Sequence, residues 1–127
     1  MSRTRSATLT DGELKLMRVL WQHGPSTVGA VVDAVDSRRA PAYNTVLTMM
    51  RILEKKGYVR HQKEGRAFVF EPLVDESRAR QSALRYMLDR FFNNSPGTLV
   101  QSLLDHEHVT DAELQQLRDR IEQHEVR

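Results

Sequence analysis

The chain contains no cysteine, which rules out a disulfide framework and any thiolate metal centre. No apolar run approaches the roughly 20 residues needed to span a bilayer, so no membrane insertion is expected. The opening Met1-Ser2-Arg3-Thr4-Arg5-Ser6 is basic, but no apolar core follows it as in a secretory signal. Glycine-rich phosphate loops are missing, and no nucleophile sits in a recognisable catalytic signature. The chain is therefore not expected to be an enzyme. Metal-ligand types cluster only at Asp105-His106-Glu107-His108, in a polar stretch between apolar segments where solvent contact is the expected role. No metal and no cofactor are expected. Internal repeats and low-complexity tracts are absent too. With 127 residues, 39% apolar and 28% charged, the chain fits one domain, or a small domain plus an oligomerisation segment, in the cytoplasm.

The charge is unevenly spread. The net value is only +2, yet residues 1–72 carry 12 Lys/Arg against 7 Asp/Glu, and residues 73–127 carry 7 against 10. Within residues 38–66 there are 8 basic and 2 acidic side chains. A basic first half beside an acidic second half suggests a polyanion-binding module joined to a part that does not touch the polyanion.

Most of the functional information lies between Ala42 and Phe70. Val46, Met49, Met50 and Leu53 recur at i, i+3, i+4, i+7 and make one apolar stripe of a helix. Asn44, Thr48, Arg51 and Lys55 follow the same kind of spacing on another face. Amide, hydroxyl and guanidinium groups are the types that reach base edges and phosphates in a major groove. Gly57 should end this helix. Tyr58–Gln62 and Ala67–Phe70 then read as two strands around a Lys63-Glu64-Gly65-Arg66 turn.

Two helices are expected before it. Thr10 and Glu13 are spaced as a capping box, in which each satisfies backbone donors left open at the helix start. Leu14, Met17, Val19, Leu20 and Trp21 form the expected buried face, and His23-Gly24-Pro25 stops the helix. Ser26 or Thr27 caps a second helix with Val28, Val31, Val32 and Val35 inward. Four valines are poor helix formers, so packing must hold it. Asp36–Pro41 is the expected turn into the third helix, with Pro41 tolerated at or before the first helical turn. Helices two and three make a helix-turn-helix, and the basic hairpin after it completes a winged helix.

After Pro72 the pattern changes. Asp75 or Ser77 starts a helix bearing Leu84, Met87, Leu88 and Phe91 on one stripe. Asn93-Asn94-Ser95-Pro96-Gly97 is a turn cluster. Leu99, Val100, Leu103 and Leu104 mark a shorter helix, and Thr110–Glu113 is a second capping box opening a helix with Leu114, Leu117 and Ile121. Three amphipathic helices without a sheet can scarcely enclose a core, so a second copy is expected to cover them. The predicted architecture is mainly α: a winged helix-turn-helix DNA-binding domain over 1–74 and a helical dimerisation region over 75–127.

The segments LTDGELKLMRVLW (9–21), NTVLTMMRILEKKGYV (44–59), KEGRAFVFEPLVDES (63–77), LVQSLLD (99–105) and VTDAELQQL (109–117) resemble the penicillinase and methicillin-resistance repressors, the BlaI/MecI type. That resemblance spans almost the whole chain. It implies a homodimer that represses at an operator with dyad symmetry. Repression in such proteins is relieved when a protease, activated by a membrane sensor, cuts the C-terminal part. In the resistance repressors the cut falls between Asn and Phe. The matching pair here is Ser102-Leu103, a departure that puts the same cut in doubt. Copper-responsive relatives bind metal through a C-terminal cysteine motif, which this chain cannot do.

The expected DNA contacts are Tyr43, Asn44, Thr45, Thr48, Arg51 and Lys55 on the helix, and Arg60, Lys63 and Arg66 on the hairpin. Alternatives stand beside several of them. Tyr43 suits packing at the helix start as well as a thymine methyl. Lys55 and Lys56 also suit the negative end of the helix dipole. Trp21, Phe68 and Phe70 could form a base-stacking platform, though their spacing fits a core better. The expected dimer face comprises Leu84, Leu88, Phe91, Leu99, Leu103, Leu114 and Leu117. The partners expected are double-stranded operator DNA and a second copy, with a sensor-linked protease as a further one. The alternative is a winged helix used as a protein-interaction module, docking an acidic partner protein through its basic face.

Overall fold

A computed structural model describes residues 8–35 and 42–124. The expected turn over Asp36–Pro41 and the basic opening Met1–Ser6 lie outside the described residues. Helix α1 (Asp11–His23) begins at an N-cap Thr10 whose hydroxyl accepts from Glu13 N, while Glu13 Oε1 accepts from Thr10 N at 2.9 Å. This is the reciprocal cap its sequence spells. It ends at Gly24, with φ at 81°. Thr27 caps α2 (Val28–Ala34), its side chain accepting from Ala30 N. Helix α3 (Tyr43–Lys56) closes on Gly57 in the left-handed region, φ 91° and ψ 13°, where a side chain would be strained.

Strand β2 (Val59–Glu64) pairs antiparallel with β3 (Ala67–Pro72), with His61 opposite Phe70 and Glu64 opposite Ala67. The hairpin is longer and its turn tighter than the sequence suggested. Lys63 and Glu64 belong to the ladder, and only Gly65-Arg66 turn, with Gly65 at φ 62°. Glycine at the first position of a two-residue hairpin turn supplies the positive φ that matches strand twist. A third strand was not foreseen. Ser26 and Thr27 form β1, pairing with Phe70 and Val69 of β3, so the sheet order is β1-β3-β2. The extended backbone that an N-cap needs (Thr27 φ −72°, ψ 162°) is also strand backbone, so one residue serves both roles.

Leu16, Met17, Val19 and Leu20 of α1, Val28 and Val31 of α2, Val46, Met50 and Leu53 of α3, and Tyr58, Val59 and Phe70 form one buried cluster. Leu14 and Trp21 are half-buried rather than central, and Leu16 takes the place assigned to Leu14. Val32, Val35, Met49, Phe68, Val74 and Ala79 pack on its edge.

Helix α4 (Glu76–Phe91) starts after Asp75, whose carboxylate accepts from Arg78 N at 2.8 Å. By their internal contacts the described residues form two units, divided between Tyr86 and Met87 inside α4. In the first, Trp21 Nε1 donates to Val74 O at 2.8 Å, and Val74 and Ala79 lie against the core. In the second, α4 ends at two asparagines in the left-handed region, Asn93 and Asn94, with Asn94 N bonded to Leu88 O at 2.8 Å. Ser95 caps α5 (Pro96–His106), which carries Pro96 in its first turn. Thr110 caps α6 (Asp111–Gln123) through the second capping box. The Thr110 backbone N–H and hydroxyl hold the Glu113 carboxyl below the usual carboxylate range.

Leu88 is the only buried hydrophobic residue described in this second unit. Phe91 is 73% exposed, and Met87, Val100, Leu103, Leu104, Leu117 and Ile121 also face solvent. Among the described residues no helix is long and apolar enough to cross a membrane.

Candidate nucleic-acid interface

Helix α3 is divided lengthwise. Val46, Met50 and Leu53 are fully buried, which fixes the helix's rotation about its axis. Asn44, Thr48, Arg51 and Lys55 are exposed. At 3.6 residues per turn they fall within about 60° of arc, a continuous polar strip along the helix. Tyr43 and Thr45, also exposed, flank it in the first turn. Its N-cap, Ala42, makes no side-chain cap hydrogen bond.

On the hairpin, Arg66 occupies the turn itself and is exposed. Lys63 sits two residues inside β2, with Nζ 6.0 Å from the centre of the Phe68 ring. Its stem is thereby tethered while its charge stays in water. Arg60 Nη2 lies 3.1 Å from Glu71 Oε2 on the adjacent strand, so its guanidinium is already partly engaged. Lys56, one residue from Lys55, points elsewhere: its Nζ bonds both oxygens of Glu13 at 2.8 and 3.0 Å. Lys56 is thus engaged within the fold, whereas Lys55 is exposed.

Sequence reasoning missed a pair between helix and wing. Glu54 sits in the last turn of α3, where a carboxylate opposes the helix dipole. It is bound to β2 instead, with His61 Nδ1 at 2.8 Å from Oε1 and 2.9 Å from Oε2. A lone acid at the wrong end of a helix in a basic stretch was the signal available, since such a residue implies a tertiary partner. Glu54 and His61 line a small cleft with Leu47, Arg51, Phe68 and Phe70.

The other expected site residues lie on the C-terminal helices. Leu84, Phe91, Leu103 and Leu117 are exposed, Leu99 and Leu114 half-buried, and Leu88 is covered within the chain. Ser102 and Leu103 lie inside α5, and Ser102 O is bonded by His106 Nδ1 at 3.2 Å. Among the described residues no group of three or more His, Cys, Asp or Glu is placed to hold a metal ion.

The solution structure of the DNA-binding domain of the repressor BlaI superposes on this chain with a TM-score of 0.51 and 34% identity, covering 59% of this chain and 93% of that one. The penicillinase repressor of Bacillus licheniformis is 31% identical over 119 residues, 94% of this chain and 93% of that protein. The transcriptional regulator BlaI of Mycobacterium tuberculosis is 29% identical over 117 residues, 78% of this chain and 85% of that protein. The methicillin resistance regulatory protein MecI of Staphylococcus aureus (strain N315) is 19% identical, covering 87% of this chain and 90% of its own. The family model described as penicillinase repressor matches residues 9–123. With that span running from the first capping box to the end of α6, the chain belongs to the penicillinase repressor family.

Proposed function

We propose that this chain is a DNA-binding transcriptional repressor that acts as a homodimer on a dyad-symmetric operator. The observation that carries the reading is the exposed polar strip Asn44–Thr48–Arg51–Lys55, on a helix whose opposite face is locked into the core. A helix so fixed offers its side chains to base edges in one orientation, which direct readout requires. The exposed hairpin cations Lys63 and Arg66 support the reading as phosphate contacts, which position a protein without reading sequence. Family membership and the named DNA-binding domain of a relative support the same reading.

The dimer is inferred from the second unit, where one buried hydrophobic residue accompanies many exposed ones. Soluble monomers seldom leave so much apolar surface in water. Two linked winged helices would meet successive major grooves, with half-sites about one to two helical turns apart. Relief of repression by cleavage near Ser102-Leu103 is part of the proposal, and it requires α5 to open locally first, since a protease takes an extended strand.

Footprinting on the DNA upstream of its own gene tests the reading, with affinity measured against salt. A protected dyad and a steep fall of affinity with salt are the expected result. No protected site, together with salt-sensitive binding to an acidic protein instead, would assign the basic face to a protein partner.

A further inference from the structure

We propose that Glu54 and His61 form a clasp that positions the wing on the recognition helix and makes DNA affinity depend on pH. The proposal rests on the DNA-binding function above.

The clasp joins the last turn of α3 to the third residue of β2. Besides the two contacts to Nδ1, the His61 backbone N–H reaches Glu54 Oε2 at 3.3 Å. The imidazole is held on two further sides. Phe68 meets it edge-on with ring centres 5.3 Å apart and planes at 87°, and Phe70 lies tilted at 5.5 Å. Ring orientation is thus set by the strand opposite, and the carboxylate fixes which nitrogen carries hydrogen. Nδ1 donates to Glu54, leaving Nε2 to gain or lose the proton. Deprotonation therefore leaves the clasp's geometry intact and changes only its charge.

The charged groups facing His61 in the cleft are Glu54 and Arg51, both from α3. Strand β3 contributes Phe68 and Phe70 there, and its neighbouring Glu71 is taken by Arg60. On its own strand, Lys63 lies over Phe68. With an imidazolium the clasp is neutral. With an imidazole it carries a bare negative charge three residues from Arg51, beside the strip offered to phosphate. The side chains are 41% and 33% exposed, so the pair contributes little to folding. Against a polyanion the same charge opposes binding. DNA should therefore select the protonated clasp, and complex formation should take up a proton.

Anisotropy titrations of the full chain on a short mixed-sequence duplex, at constant ionic strength, test this. From about pH 6 to about pH 8, wild-type affinity should fall about three- to tenfold. His61→Asn keeps an amide donor near the place of Nδ1 but cannot titrate. It should bind with the wild type's high-pH affinity throughout. Glu54→Gln removes the opposing charge and should bind more tightly than wild type at the high-pH end. A His61→Asn profile falling in parallel with wild type would overturn the proposal, as would Glu54→Gln binding no tighter there. A flat wild-type profile with intact duplex binding would also remove the clasp's role and leave the repressor reading standing. Failure of the wild type to bind duplex at any pH or salt would remove both.

Discussion

Glu13 uses one carboxylate to close the start of α1 and to anchor the end of α3. Its Oε1 accepts from Thr10 N at 2.9 Å and from Lys56 Nζ at 2.8 Å. The residue is only 5% exposed. Burial alone pushes such a carboxyl up. Here the bonds from Lys56 and Thr10, together with the lysine's charge, outweigh burial and hold it below the usual range. Lys56→Ala should therefore cost about 1–3 kcal/mol at neutral pH, because a buried acceptor loses its charged donor. A depressed carboxylate contributes stability above the ordinary glutamate range and loses it as pH falls through the folded value. The gap between wild type and Lys56→Ala should thus narrow in acid. Urea melts at neutral and acidic pH measure both effects, and a gap that stays constant would contradict the assignment.

Arg51→Ala or Thr48→Ala should weaken operator binding by about 1–3 kcal/mol and relax sequence preference, with the fold unchanged. Lys63→Ala and Arg66→Ala should instead lower specific and non-specific affinity together and flatten the salt slope. Gel-shift titrations on operator and scrambled duplexes separate the two classes. Indifference of all four variants would move the binding face elsewhere.

A fragment ending at Tyr86 keeps the Trp21–Val74 bond and the Ala79 contact, so it should fold as the first unit alone. It should sediment as a monomer and lose most operator affinity, because linked half-site contacts act at high effective concentration. A shorter fragment ending at Pro72 lacks that bond and the Val74 and Ala79 packing, and should melt lower. Dimerisation of the Tyr86 fragment would put the subunit interface before Met87.

Cleavage between Ser102 and Leu103 should be slow in the resting protein, since the bond lies mid-helix in α5. Mass spectrometry of the protein from induced and uninduced cells gives the readout. Fragments ending at Ser102 on induction are expected; an intact chain under full derepression would exclude proteolysis as the release step.

Periodicity and caps made the helices readable from sequence. The α3 stripe, the Gly57 stop and both capping boxes are local features, and each appears where spacing put it. The failures were all long-range. Strand β1 is two residues long and exists only because β3 runs beside it. Lys63 looked like a turn residue because four polar residues in a row hide the ladder that Phe68 imposes on it. Leu14 and Leu16 both fit an apolar helix face, and only the packing against the other helices and strands chose Leu16. On the exposed face of α3, residue types identified Asn44, Thr48, Arg51 and Lys55 as candidates. Nothing local could pair Glu54 with His61 or send Lys56 to Glu13, since those partners are set by how the elements pack.

The chain has a single tryptophan, and the fold has placed it at a junction. Trp21 is half-buried with its indole N–H on Val74 O, at the point where the polypeptide leaves the sheet for α4. Its emission is therefore an optical reporter of that junction, with no competing indole. Any event that pulls the start of α4 from the winged helix should hydrate the ring and shift its emission to the red. Whichever of operator binding, partner exchange or helix cutting disturbs that bond can then be followed in real time on unlabelled protein, by one dye the molecule already carries.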